Sequence, residues 1–185
     1  MSRLESDRLR LRQWQAADLP AFAEMGADPV VMEHFPARLD RERSDALALR
    51  FKAMIDDRGW GVWALERKAG GEFIGFVGLN IPSDELPFSP CVEIAWRLAQ
   101  GYWHQGYASE AARVALRFGF VELDLEEIVA FTSLGNLRSQ AVMVRLGMRR
   151  SPENFQHPAL PEGHPLREHC LYRLARGEWR AFSSR

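Results

Sequence analysis

The chain has only two cysteines, Cys91 and Cys170, each inside an apolar run and neither at a metal-ligand spacing. A disulfide framework and a cysteine-based zinc site are therefore not expected, no metal is called for, and a reducing cytoplasm is the natural setting. Charge of one sign is also lacking. The 24 Lys and Arg stand against 25 Asp and Glu, interspersed along the chain, so no broad basic field exists to attract nucleic acid. Long hydrophobic runs are missing too. The opening Met1-Ser-Arg-Leu-Glu-Ser-Asp-Arg carries charges where a signal peptide needs an apolar stretch, and no later segment approaches the roughly 20 apolar residues of a membrane span. Neither export nor membrane insertion is expected. Repeats, linkers and low-complexity tracts are absent, as are Gly-x-x-x-x-Gly-Lys-Ser/Thr and a first-strand Gly-x-Gly-x-x-Gly, which argues against the common nucleotide-phosphate enzymes.

What is present is a globular composition. With 185 residues, 46% of them apolar, the chain can bury a core without metals or disulfides, and residues 1–185 are expected to form one domain. Leu9 and Leu11, with Gln13-Trp14, read as a short strand, and Ala16 to Met25 as a helix. From Asp40 to Arg58, Leu47, Phe51, Met54 and Ile55 recur at the spacing of an amphipathic helix. The pattern then turns to β. Trp60 to Arg67 and Phe73 to Ile81 flank a glycine-rich turn as a hairpin, and Cys91 to Leu98 follows with Val92, Ile94, Trp96 and Leu98 on one face and Glu93, Ala95 and Arg97 on the other. A helix over about Ala108 to Val121 leaves Ala112, Ala115, Leu116 and Gly119 for packing against a sheet, with Glu110 and Arg113 expected to pair at i,i+3. A strand over Glu127 to Thr132, a helix over Leu137 to Leu146 and a strand from Met148 continue a β-α-β-α-β order. A long loop, Asn154 to Pro165, precedes a last strand over Arg167 to Arg176.

The stretch most telling about chemistry is strand, glycine turn, helix: Val92 to Glu110. A helix start leaves about four N–H groups without intrahelical partners and concentrates roughly half a positive charge, so it can hold an anion. Gly106 allows a phosphate close approach to the main chain. An ordinary glycine turn before a helix fits these residues equally well.

Taken together, Glu5 to Arg12, Ile74-Gly-Phe-Val-Gly-Leu79, Glu93-Ile-Ala-Trp96, Trp103-His-Gln-Gly-Tyr-Ala108, Asn136-Leu-Arg-Ser139 and Arg145-Leu-Gly-Met148 resemble the GNAT superfamily of N-acetyltransferases, particularly the branch of ribosomal-protein N-terminal acetyltransferases. The resemblance spans nearly the whole chain. It implies an α/β (α+β) fold with a mixed, mostly antiparallel sheet of about seven strands, splayed beside the fourth, here Cys91 to Leu98. Acetyl-CoA is the implied donor. Main-chain groups around Trp96 and Leu98 would hold its pantetheine arm, and a main-chain N–H near Ala95 or Trp96 would polarise the thioester. Trp103, His104, Gln105, Gly106, Tyr107, Ala108 and Ser109 would cradle the pyrophosphate. Trp103 departs from the family pattern, which places Arg or Gln there. Asn136 is a further implied contact to the cofactor arm, or a helix N-cap. Relatives are often homodimers.

Amide formation requires a free amine, and a lysine at pKa about 10.4 is almost wholly protonated near neutrality, an α-amino group at about 8 much less so. Glu93, in mid-strand beside the acetyl position, is the leading base, with Glu33 and His34 as the alternative pair. Relatives place a tyrosine acid where this chain has Met143, which leaves Ser139 or a water; a thiol of pKa about 8.5 leaves without strong acid help. Asp84, Glu85 and Glu33 would draw a cationic amine to the acceptor mouth, or are simply solvated. Cys91 and Cys170 read as small buried hydrophobes rather than acyl carriers. Trp60, Trp63 and Trp96 read as core, with Trp103 partly exposed. The acceptor is an amine, either a protein N-terminus or a small amine, with a non-catalytic acyl-CoA-binding module as the rival reading.

Overall fold

Seven strands, β1 (Leu9–Arg12), β2 (Val62–Arg67), β3 (Phe73–Asn80), β4 (Glu93–Leu98), β5 (Glu127–Ser133), β6 (Arg149–Gln156) and β7 (Glu168–Ala175), form one sheet in a computed structural model that describes residues 4–83 and 85–183. The spatial order is β1-β2-β3-β4-β5-β7-β6, antiparallel except for the β4–β5 pair. Five helices accompany it: α1 (Leu19–Ala27), α2 (Arg41–Arg58), α3 (Tyr107–Val121), α4 (Leu137–Arg145) and α5 (Arg176–Ser183).

Period-two alternation decides which side each strand residue serves. Leu11, Trp63, Val77 and Ile94 turn toward α3, whose Ala112, Ala115 and Leu116 are fully buried against them. Gly119 is needed in that layer, because a Cβ there would stand 2.7 Å from Ile128 Cδ1. Val62, Ala64 and Phe76 turn the other way, to a second core under α1 and α2 that holds Trp14, Phe22 and Phe51. Each fully buried Val, Leu, Ile, Phe or Met side chain contributes about 1.5–3 kcal/mol by leaving water. Asp40 caps α2 by accepting from the Arg43 N–H at 2.8 Å, and Gly59 in the left-handed region ends it.

Three features depart from the sequence reading. β1 stops at Arg12, because Gln13 turns to α2 and the Trp14 indole donates to the Val62 carbonyl at 2.8 Å inside the second core. β6 continues to Gln156, through what reads as loop. A register shift between Arg150 and Asn154 takes Pro152 out of the ladder, and pairing resumes at Asn154 opposite Cys170. α5 was not anticipated; Trp179 stacks on Phe120 at 5.2 Å between ring centres and docks it on the α3 side.

Candidate active site

β4 and β5 share a single registered pair, Glu93 with Val129, and part beyond it. The Val92 carbonyl accepts from the Val129 N–H at 3.0 Å, so by alternation the main chain of Trp96 and Leu98 faces the same edge, where β5 has moved away. The Leu98 carbonyl is already engaged by the Trp103 indole at 2.8 Å. Trp96 thus presents main-chain groups to the opening. Ala95, expected to share that role, is opposed to Gly78 and directs its main chain at β3, leaving its methyl group to line the cleft. The parting opens a cleft of about 1070 Å³.

At one end of the cleft the chain enters α3 through a turn in which His104 and Gly106 both take positive φ, 59° and 81°. Gly106 is the N-cap and supplies no side chain, so the first-turn N–H groups of Tyr107, Ala108 and Ser109 have no cap from that position. Successive main-chain groups in such a turn form a concave anion seat. The turn is braced by the residue that precedes β1: Arg8 donates to the Gln105 carbonyl at 3.1 Å, lies over the Tyr107 ring at 4.4 Å, and pairs with Glu110. Glu110 also accepts from Ser6 at 2.6 Å. Burial would raise that carboxyl, but the hydrogen bonds from Ser6 and Arg8 outweigh it and hold the pKa below the ordinary value. The expected i,i+3 pairing of Glu110 with Arg113 is therefore wrong. Arg113 reaches the Arg145 carbonyl instead, and the true partners lie more than a hundred residues upstream. Arg138 covers the Trp103 ring at 4.6 Å and pairs with Glu33 at 2.8 Å, fastening the segment after α1 to α4.

Across the cleft, Asn136 caps α4, its Oδ1 accepting from the Ser139 N–H at 3.2 Å and its Nδ2 donating to Thr132 Oγ1 at 2.9 Å. The capping reading holds, in a residue that also lines the cleft. Ser139 and Met143, one turn apart, line it as well, and Ser109 accepts from Arg145 at 3.3 Å.

On the α1–α2 side of the sheet stand Glu93, Ala95 and Arg97. Glu93 accepts from Asn80 at 2.8 Å, and the Arg97 guanidinium lies between Phe35, 4.0 Å away, and Phe76, 5.2 Å away. His34 faces the same cleft; burial, opposed by Glu33, lowers its pKa. Asp84 lies outside the described residues, and Glu85 is exposed.

Sequence reasoning missed His169. It lines the cleft with its Nδ1 3.1 Å from the Arg167 carbonyl, a contact that in the neutral ring puts the proton on Nδ1 and leaves Nε2 as the acceptor. Burial lowers its pKa, with the Arg167 carbonyl opposing and His157 adding. No local motif marks it, since β7 brings it in from the far end of the chain. Cys170 is fully buried, while Cys91 is half-buried rather than enclosed; burial pushes both thiols up, away from nucleophilic thiolate. Among the described residues there is no His, Cys, Asp or Glu group arranged to hold a metal, and no helix long and apolar enough to cross a membrane.

Residues 8–149 match the family model described as Acetyltransferase (GNAT) domain. The chain is 30% identical to the uncharacterized N-acetyltransferase YnaD of Bacillus subtilis (strain 168), covering 95% of this chain and 98% of that one. It is 31% identical to the uncharacterized protein YkkB of the same organism, over 81% and 87% respectively. A GNAT-family acetyltransferase from Bacillus anthracis superposes with a TM-score of 0.78 at 25% identity, covering 94% of this chain and 98% of that one.

Proposed function

The chain belongs to the GNAT acetyltransferase family, and on that premise we propose that it moves the acetyl group of acetyl-CoA onto a primary amine by direct attack in a ternary complex, with Glu93 as the base. Acetyl-CoA-dependent N-acetyl transfer is the activity of the family. The observation that carries the assignment to this cleft is the parting of β4 from β5 beside a helix start capped only by Gly106.

The residues present fit the donor. First-turn N–H groups of Tyr107, Ala108 and Ser109, with the Gly106 turn, would hold its pyrophosphate. The open edge of Trp96 would hold the pantetheine arm and direct an N–H at the acyl oxygen. The bound donor supplies an activated acyl carbonyl. Glu93, oriented by Asn80 and facing the acceptor side, takes the proton that the amine must lose. Met143 brings no acid to the other side, so thiolate departure relies on its own low basicity, with Ser139 as a hydrogen-bond donor within α4.

For the acceptor, an α-amino group at a protein N-terminus is favoured over a lysine, both by the resemblance of the motifs and because it needs less help to lose its proton. A second reading of the base is supported by His169, which lines the cleft with its Nδ1 engaged at the Arg167 carbonyl. Mixing the protein with acetyl-CoA and a panel of primary amines, peptide N-termini included, tests the function. Equimolar CoA and N-acetylated amine are expected. Tight acetyl-CoA binding without turnover of any amine would replace catalysis with a binding role.

A further inference from the structure

Among the arginines set deep in the protein, Arg97 stands apart. Arg12 meets Asp18 and Glu66, and Arg176 meets Asp124 and Glu126. Arg97, near the end of β4 opposite Phe76, has no ion pair among the described residues, and its Nε and Nη1 have no hydrogen-bond partner. Two aromatic faces hold the plane of the guanidinium and leave its N–H edges unsatisfied. Burial without a counter-charge pushes its pKa down to about 10, so it stays cationic near neutrality. A desolvated, uncompensated cation is destabilising, and the missing partner here faces a cleft that solutes can enter.

We propose, resting on the amine-acceptor reading above, that the acceptor carries a carboxylate close to its amine and that Arg97 receives it. Glu93, Ala95 and Arg97 share one face of β4, so an acid and a base stand about 13 Å apart with the Ala95 methyl between them. That order of charges complements a zwitterion: the amine lies toward Glu93 and the Trp96 N–H, the carboxylate toward Arg97. An amine placed over Ala95 stands about 7 Å along the strand from Arg97; the carboxylate of an amino acid covers part of that span and meets the guanidinium, and an acidic side chain just after a peptide N-terminus covers more of it. The guanidinium fork suits a carboxylate and is flanked by Phe35 and Phe76. It does not serve the pyrophosphate turn, because the side chains of Arg97 and of the core residues under α3 leave β4 on opposite faces.

The test compares initial rates, with the full chain and acetyl-CoA, for matched acceptors with and without the acid. One arm sets free amino acids against their amides; the other sets dipeptide amides with Asp or Glu second against those with Asn or Gln. Wild type is expected to favour the carboxylate by about tenfold or more in kcat/KM in one arm, which identifies the source. Arg97→Gln is expected to bring that ratio to about one through the acceptor KM, leaving the KM for acetyl-CoA unchanged, and Arg97→Lys to keep part of it. Should Arg97→Gln not fold, Arg97→Met keeps an apolar stem against Phe35 and is read in the same way. Equal rates within both arms for wild type, or a change confined to the acetyl-CoA KM, would overturn the role of Arg97 while leaving amine acetylation intact. Acetylation of no amine at all would instead remove the amine-acceptor reading.

Discussion

Asn80 and Glu93 are directly opposed on β3 and β4, and the Asn80 amide donates to Glu93 Oε1 at 2.8 Å. The bond helps to orient the carboxylate beside the cleft, with Oε1 as the acceptor. With Glu93→Gln, which removes the proposed base, kcat/KM near neutral pH is expected to fall about a hundredfold. The loss should shrink as pH rises toward the amine pKa, where the substrate sheds its own proton. Asn80→Ala keeps the carboxylate but frees its orientation, for a smaller loss of about tenfold. A pH–rate profile of Glu93→Gln superposable on wild type would pass the role to His169, whose pKa burial holds below the ordinary histidine value, so that activity would be lost only on the acid side of that value as the ring takes a second proton.

Gly106 combines a positive φ with the N-cap of α3. Valine at this position is β-branched and poorly tolerates the left-handed region, so Gly106→Val should distort the turn rather than the core. The expected result is a rise of about tenfold or more in the KM for acetyl-CoA and loss of the thermal shift produced by CoA, with the acceptor KM little changed. Steady-state kinetics and CoA-dependent melting check it.

Arg12 meets Asp18 through two bonds of 2.8 Å and Glu66 through one of 2.6 Å, and Asp18 is only 2% exposed. Its hydrogen bonds with Asp18, against the cost of burial, hold Arg12 protonated well above its ordinary value. Arg12→Met strands the Asp18 carboxylate in the core and is expected to cost about 3–5 kcal/mol in urea unfolding. Adding Asp18→Asn should recover part of that loss, because the uncompensated charge is gone.

His34 and His169 both have folded pKa values lowered by burial. The unfolded chain therefore binds more protons than the folded one as pH falls through about 6.5, the ordinary histidine value, and stability rises with pH across that range. Their contribution is full above about pH 6.5 and is lost as pH drops through the lowered values. Melting temperature should fall between about pH 6.5 and 5 by an amount that His34→Gln and His169→Gln together reduce. A wild-type melting temperature flat across that range would contradict it.

The sheet and most helices were legible because period and capping are local. Asp40 and Gly59 bracket α2 as their residue types require, and the alternation in Cys91 to Leu98 sorted Trp96 from Arg97 correctly. What was hidden depends on partners distant in sequence. Glu110 looked like a helix-surface ion pair until β1 brought Arg8 and Ser6 to it. His169 has no motif, and Pro158, Pro161 and Pro165 with Gly163 made the end of β6 read as part of a loop. That Arg97 lacks a counter-charge is a property of packing, which no spacing rule records.

The central claim is that the gap between β4 and β5 receives the donor with its thioester toward Glu93. A crystal structure of the protein with acetyl-CoA tests it most directly. The expected result places the pyrophosphate on the main-chain N–H groups of Gly106 to Ser109 and the thioester oxygen within hydrogen-bond reach of the Trp96 N–H, with Glu93 open to the acceptor side. Pyrophosphate bound away from this turn, or a thioester on the side of the sheet remote from Glu93, would contradict it.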